Sequence, residues 1–70
     1  MTQCDMILRY MEETGGITPW EAMKEFGCMR LGARIWDLRH QGHPIERTMV
    51  VDFNRFGKRV RYARYVLPEE

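Results

Sequence analysis

The stretch ITPWEAMKEFGCMRLGARIWDLRHQG, residues 17 to 42, constrains this chain most, because it starts two helices around one glycine-marked corner. Thr18-Pro19-Trp20-Glu21 reads as a helix start: a threonine cap, proline at the first helical position and glutamate three after the cap. A helix over about 19–26 follows, with Ala22, Met23 and Phe26 as its buried side and Gly27 as its stop. A third helix is predicted over about 29–41, with Leu31, Ile35 and Leu38 as an inward stripe and Gly42 as a left-handed stop. At roughly 100° per residue the opposite sector holds Arg30, Ala33, Arg34, Asp37 and Gln41. Neither helix is long enough to be stable alone, so the two must bury their apolar faces together and against a further element.

That element precedes them. Thr2 and Asp5 form a capping pair for a first helix over about 3–14, on which Cys4, Ile7, Leu8 and Met11 share one face. Gly15-Gly16 stops it, and Ile17 reads as a short extended link. After Gly42-His43-Pro44 the pattern changes period. IERTMVVDF and KRVRYARYVL are rich in Val, Tyr, Thr and Phe, and the NRFG between them carries the asparagine and glycine of a tight reversal. Strands are expected over about 45–53 and 58–67. Pairing Phe53 with Lys58 sets Val51 opposite Val60, Met49 opposite Tyr62, Ile45 opposite Val66 and Asp52 opposite Arg59. It also sets Arg47 against Arg64, an unfavourable match. The other phase turns Ala63, Tyr65 and Leu67 inward, and alternation does not choose between them. Residues 1–70 thus read as one α+β domain, three helices followed by a two-stranded hairpin, with Pro68-Glu69-Glu70 as a frayed end.

Charge is distributed unevenly. The formal net charge is +1, but residues 1 to 29 carry five acidic against two basic side chains, and residues 30 to 68 carry nine basic against three acidic. Eight of those nine are arginine, which suits bidentate contact with phosphate and guanine. An anionic partner is expected on that half. The alternative is a solvated surface.

Other chemistries find little support. Cys4, Cys28, His40 and His43 are the soft ligands, and their spacing matches no zinc pattern, so neither metal nor other cofactor is expected. The chain contains no serine, no glycine-rich phosphate loop and no pattern pairing a cysteine nucleophile with histidine, so neither catalysis nor a small-molecule substrate is expected. Two cysteines without a leader or membrane-spanning run point to a reducing, cytoplasmic setting and no membrane partner. Met6, Met11, Met23, Met29 and Met49 read as core filler, and Trp20 as packing at the head of the second helix.

Helix, link, helix, turn, helix, hairpin is the order of a winged helix-turn-helix domain. ITPWEAMKEFGCMRLGARIWDLRHQGHPI resembles the helix-turn-helix of small bacterial and phage winged-helix proteins, over roughly residues 3 to 67. ARIWDLRHQGHPI matches their run of arginine, apolar residue, two spacers, Leu-Arg, two spacers, glycine and an apolar strand start. One departure is Met23, where the family usually keeps a small residue.

The resemblance implies double-stranded DNA as partner, and the residues supply a mechanism. A major groove about 12 Å wide accepts one helix. Arg30 and Arg34 near the start of helix 29–41 could take guanine O6 and N7, with Ala33 beside them. Asp37 either accepts from cytosine or pairs with Arg34 or Arg30. Arg55, Lys58, Arg59 and Arg61 at the wing would hold the phosphate backbone or an adjacent minor groove. The function so implied is a sequence-specific transcriptional regulator of phage or bacterial type, with affinity that calls for a homodimer or adjacent sites. The alternative keeps the fold and changes the partner: an adaptor or inhibitor of a host protein, using the acidic first helix, Trp36 or the hairpin edge.

Overall fold

A computed structural model describes residues 1–68; the frayed end expected at Glu69-Glu70 lies outside the described residues. The elements run α1 (Gln3–Thr14), β1 (Gly16–Ile17), α2 (Pro19–Phe26), α3 (Leu31–His40), β2 (Glu46–Phe53) and β3 (Arg59–Val66).

Two capping boxes start the first pair of helices. The Thr2 hydroxyl accepts from the Asp5 amide at 3.1 Å while the Asp5 carboxylate accepts from the Thr2 amide at 3.1 Å. At α2 the Thr18 hydroxyl accepts from the Glu21 amide at 3.2 Å, and the Thr18 amide donates to Glu21 Oε1 at 3.0 Å. Each box satisfies donors that the first helical turn would leave unpaired.

The third helix begins at Leu31, two residues later than its periodicity suggests, because the corner consumes the intervening residues. Gly27 takes the left-handed conformation at φ 65° and donates to the Met23 carbonyl, and the Cys28 amide reaches back to the Ala22 carbonyl at 3.1 Å. Cys28 is thereby buried and helix geometry cannot resume before Leu31. Arg30 occupies the N-cap position with no side-chain cap hydrogen bond. The helix ends at His40, with Gln41 as its C-cap and Gly42 at φ 99°.

The sheet has three strands, ordered β1-β3-β2 and antiparallel throughout. The link at Ile17 is a strand: Gly16 pairs with Val66 and Ile17 with Tyr65. The hairpin is therefore the outer part of a larger sheet.

Its register is one residue away from the pairing of Phe53 with Lys58. Phe53 lies opposite Arg59, Asp52 opposite Val60, Val51 opposite Arg61, Val50 opposite Tyr62, Met49 opposite Ala63, Thr48 opposite Arg64 and Arg47 opposite Tyr65. Glu46, not Ile45, faces Val66. Asn54 decides this. Its amide donates to the Lys58 carbonyl at 2.9 Å and its Oδ1 accepts from the Phe56 and Lys58 amides at 2.9 and 3.0 Å. Asn54 and Lys58 thus close a three-residue loop, Arg55 to Gly57, with Gly57 at φ 77° in the left-handed position such loops require. The like-charged match of Arg47 with Arg64 is avoided, and Tyr65 and Leu67 form the inward phase.

The core is Ile7, Met11, Ile17, Ala22, Cys28, Leu31, Ile35, Leu38 and Ile45, with Cys4, Leu8, Tyr10, Phe26, Tyr65 and Leu67 packed around it. Of the five methionines expected inside, Met11 alone is buried; Met6 is half-buried, and Met23, Met29 and Met49 are exposed. Met23 departs from the family pattern without crowding the helix pair because it points outward, leaving the close contact to Ala22. Trp20 is likewise exposed. Among the described residues no helix is long and apolar enough to cross a membrane.

Candidate nucleic-acid interface

Leu31, Ile35 and Leu38 turn one face of α3 into the core. At about 100° per residue, Arg34 falls only about 60–70° from the centre of that stripe, so it flanks the buried face rather than opposing it. The packing follows. Arg34 is half-buried, its Nη2 lies 3.3 Å from Asp37 Oδ2, and its buried Nε has no hydrogen-bond partner. Its carbonyl lies 4.0 Å from Cys4 Sγ on α1. Burial pushes that thiol pKa up, which suits a packed, unreactive sulfur. Of the alternatives for Asp37, the structure contains the ion pair with Arg34. Ala33 is half-buried.

The residues that face outward on and beside α3 are Met29, Arg30, Gly32, Trp36, Arg39 and His40. Trp36 is 59% exposed. Its indole stacks on the His40 ring, centroids 3.6 Å apart at 28°, and His40 Nδ1 lies 2.9 Å from the Trp36 carbonyl oxygen. The stack joins the two rings on one exposed face of α3. Its sequence signal was the spacing of four between an aromatic and a histidine, which places both rings on one helix face. Arg39 Nε donates to the Ile45 carbonyl at 3.1 Å and so ties the end of α3 to the start of the wing.

On the wing, Arg55, Lys58, Arg59 and Arg61 are all exposed. Among the described residues the ion pairs are Arg9–Glu13 and Arg34–Asp37, so these four cations and Arg30 have no carboxylate partner. The register puts Arg59 beside Phe53 and Arg61 beside Val51 on one sheet face, and the Arg55 guanidinium sits 5.5 Å from the Phe56 ring centroid. Residue type alone did not mark Phe53 and Phe56 as surface groups; both read as strand or turn residues.

Two short helices joined at a glycine corner, with a two-stranded hairpin projecting from a small sheet, complete the architecture. The chain belongs to the winged helix-turn-helix domain family. The family profile matches residues 2–70. Neither a curated protein nor a solved structure matches the chain at a significant level. In the terms of this winged helix-turn-helix domain, α2 and α3 are the helix-turn-helix and β2–β3 is the wing. Its acidic side lies on α1 and α2, where the Tyr10 hydroxyl donates to the Glu21 carboxylate. That hydrogen bond, with burial and the nearby Glu25, pushes the Tyr10 pKa up to about 12. Burial pushes Glu21 the other way from its final position: the hydrogen bonds from Tyr10 and Thr18 together outweigh it and hold the carboxyl below its ordinary value.

Proposed function

We propose that this winged helix-turn-helix domain binds double-stranded DNA sequence-specifically and acts as a regulator of phage or bacterial type in the cytoplasm. In this reading α3 enters the major groove and the wing lies on the backbone. The observation that supports it is the set of exposed, unpaired cations on the two elements that such a domain offers to a duplex: Arg30 at the start of α3, and Arg55, Lys58, Arg59 and Arg61 on the wing. Arg30 is the guanine-reading candidate. Trp36 joins it as an apolar contact of the kind a thymine methyl accepts. Arg34 and Asp37 chiefly brace α3, with Ala33 between them. The task is occupancy of a site, not catalysis.

The test is titration onto duplex at two salt concentrations. Four phosphate contacts give a slope of about −3.6 in log affinity against log salt, a loss of roughly 150-fold between 50 and 200 mM. Arg30→Ala should relax sequence preference by about 1–3 kcal/mol at one base pair, whereas wing substitutions weaken all sequences alike. Absence of binding at low salt overturns the proposal. The second reading, a protein adaptor or inhibitor, is favoured by the exposed, stacked Trp36 and the small net charge, and pulldown loss in Trp36→Ala without any DNA binding would select it.

A further inference from the structure

Two surfaces fit each other, a groove that the DNA-binding reading leaves unused and the wing tip, whose phenylalanines it also leaves unused. The first is a groove of about 340 Å3 over α1 and α2, lined by Met1, Met6, Arg9, Tyr10, Glu13 and Phe26. Phe26 meets Tyr10 edge to face at 5.6 Å, giving an aromatic floor. Glu13, held to Arg9 at 3.2 Å, stands at its edge, and Glu21 and Glu25 lie close enough to act on the Tyr10 hydroxyl. The second is the wing tip. Phe56 is 82% and Phe53 66% exposed, flanked by Arg55, Lys58 and Arg59. The nearest acid, Asp52, is occupied by the Phe53 amide at 2.8 Å.

From this match of an aromatic, cationic tip to an aromatic-floored groove on the acidic half of the chain, we infer that the wing tip of one copy docks in the α1–α2 groove of a second copy. Phe56 enters the floor, and Arg55 and Lys58 meet Glu13 and Glu25. The contact is between copies because residues 51 to 61 are all exposed in the single chain, so the hairpin does not fold back on its own helices. Asn54 and Gly57 set the loop rigidly enough to present the ring. Tip and groove are different surfaces and every copy carries both, so the contact is head-to-tail and generates an open chain rather than a closed dimer. A buried aromatic flanked by charge pairs is the composition of an interface hot spot. The contact needs no DNA, and because it occupies Arg55 and Lys58 it competes with the backbone contacts proposed for those two residues while leaving Arg30, Arg59 and Arg61 to a duplex.

The experiment is sedimentation equilibrium of the full chain without DNA, across a wide concentration range and at low and high salt. Wild type should show a mass that rises past that of a dimer without a plateau and falls at high salt. Phe56→Ala, on an open loop, and Glu13→Lys/Glu25→Lys, on exposed helix positions, should each associate about tenfold or more weakly while melting like wild type. Mixed in equal amounts, the first variant supplies an intact groove and the second an intact tip, so the mixture should form a one-to-one pair that grows no further. A monomer at every concentration, a plateau at dimer, or a mixture that fails to pair overturns the inference, and none of these outcomes touches DNA binding.

Discussion

Gly16→Ala is expected to destabilise the protein, although Gly16 has an ordinary backbone angle and alanine is a milder residue than any other. A Cβ there would lie 2.7 Å from Arg64 Cζ, 2.9 Å from Arg64 Nη2 and 2.8 Å from the Tyr65 carbonyl oxygen. The guanidinium can swing away. The carbonyl cannot, because β3 is held by β1 on one side and β2 on the other. Restoring a normal contact of about 3.5 Å needs a shift of roughly 0.7 Å, enough to stretch a 2.9 Å strand hydrogen bond beyond useful range. The pairings of Gly16 with Val66 and Ile17 with Tyr65 are the whole of β1, and Ile17 is fully buried. Overpacking of this kind costs about 1–3 kcal/mol, offset by about 0.4–1 kcal/mol from the stiffer unfolded chain. The net of about 1–2 kcal/mol matters in a domain whose total stability is about 4–10 kcal/mol. Thermal unfolding followed by circular dichroism should show a midpoint about 4–15 °C lower. Gly16→Ala/Arg64→Ala should remain destabilised, because it relieves the flexible contact alone. Gly32→Ala is the control of opposite sign: its Cβ meets nothing nearer than the Tyr65 hydroxyl at 4.0 Å, so removing a helical glycine should stabilise by about 0.5–1 kcal/mol. A Gly16→Ala midpoint at or above wild type, or full rescue by Arg64→Ala, would refute the carbonyl argument.

The Tyr10–Glu21 hydrogen bond makes stability pH-dependent at both ends. Tyr10 is raised from 10.0 to about 12, so its contribution is complete below pH 10 and disappears as pH rises toward 12; Glu21 is lowered from 4.5, so its contribution is complete above 4.5 and disappears as pH falls through its folded value. Urea midpoints across pH should show both limbs, and Tyr10→Phe should remove the alkaline one. Thr18→Ala deletes the α2 cap and should cost about 1 kcal/mol by chemical denaturation, with Thr18→Ser restoring most of it. A double-mutant cycle on Arg34 and Asp37 should give a coupling of about 0.2–1 kcal/mol in stability, in keeping with a half-exposed pair; a coupling seen in DNA affinity and absent from stability would reassign both residues to the reading surface.

What was legible in the residues was local. Thr2 with Asp5 and Thr18 with Glu21 announce helix starts because a capping box is made within four consecutive residues, and Gly15, Gly27 and Gly42 announce ends because few other residues take positive φ. The stripe of Leu31, Ile35 and Leu38 is legible for the same reason: helical spacing alone places those side chains together. The candidate site is legible only as a charge asymmetry, since the basic second half is visible in any tally of side chains. Helical spacing already sets Arg34 on the flank of the stripe rather than opposite it; that α1 covers this flank and half-buries Arg34 is not legible, because α1 is distant in sequence. The methionines were misjudged for a related reason. Apolar character says that a side chain tolerates burial, not that a neighbour arrives to bury it.

By itself, then, the chain's order of residues determined which segments form the three helices and the hairpin, where the capping boxes start the first two helices and which half is cationic, since each rests on interactions a few residues long. The tertiary structure decided that Ile17 becomes a strand against β3, that α1 covers the flank of α3 on which Arg34 sits, and that Trp36 and the wing phenylalanines face solvent. Those outcomes depend on the carbonyls of β3, the reach of α1 and the surface left when the small core of a 70-residue chain is full. Such contacts join residues far apart in the chain, and no local rule carries that information.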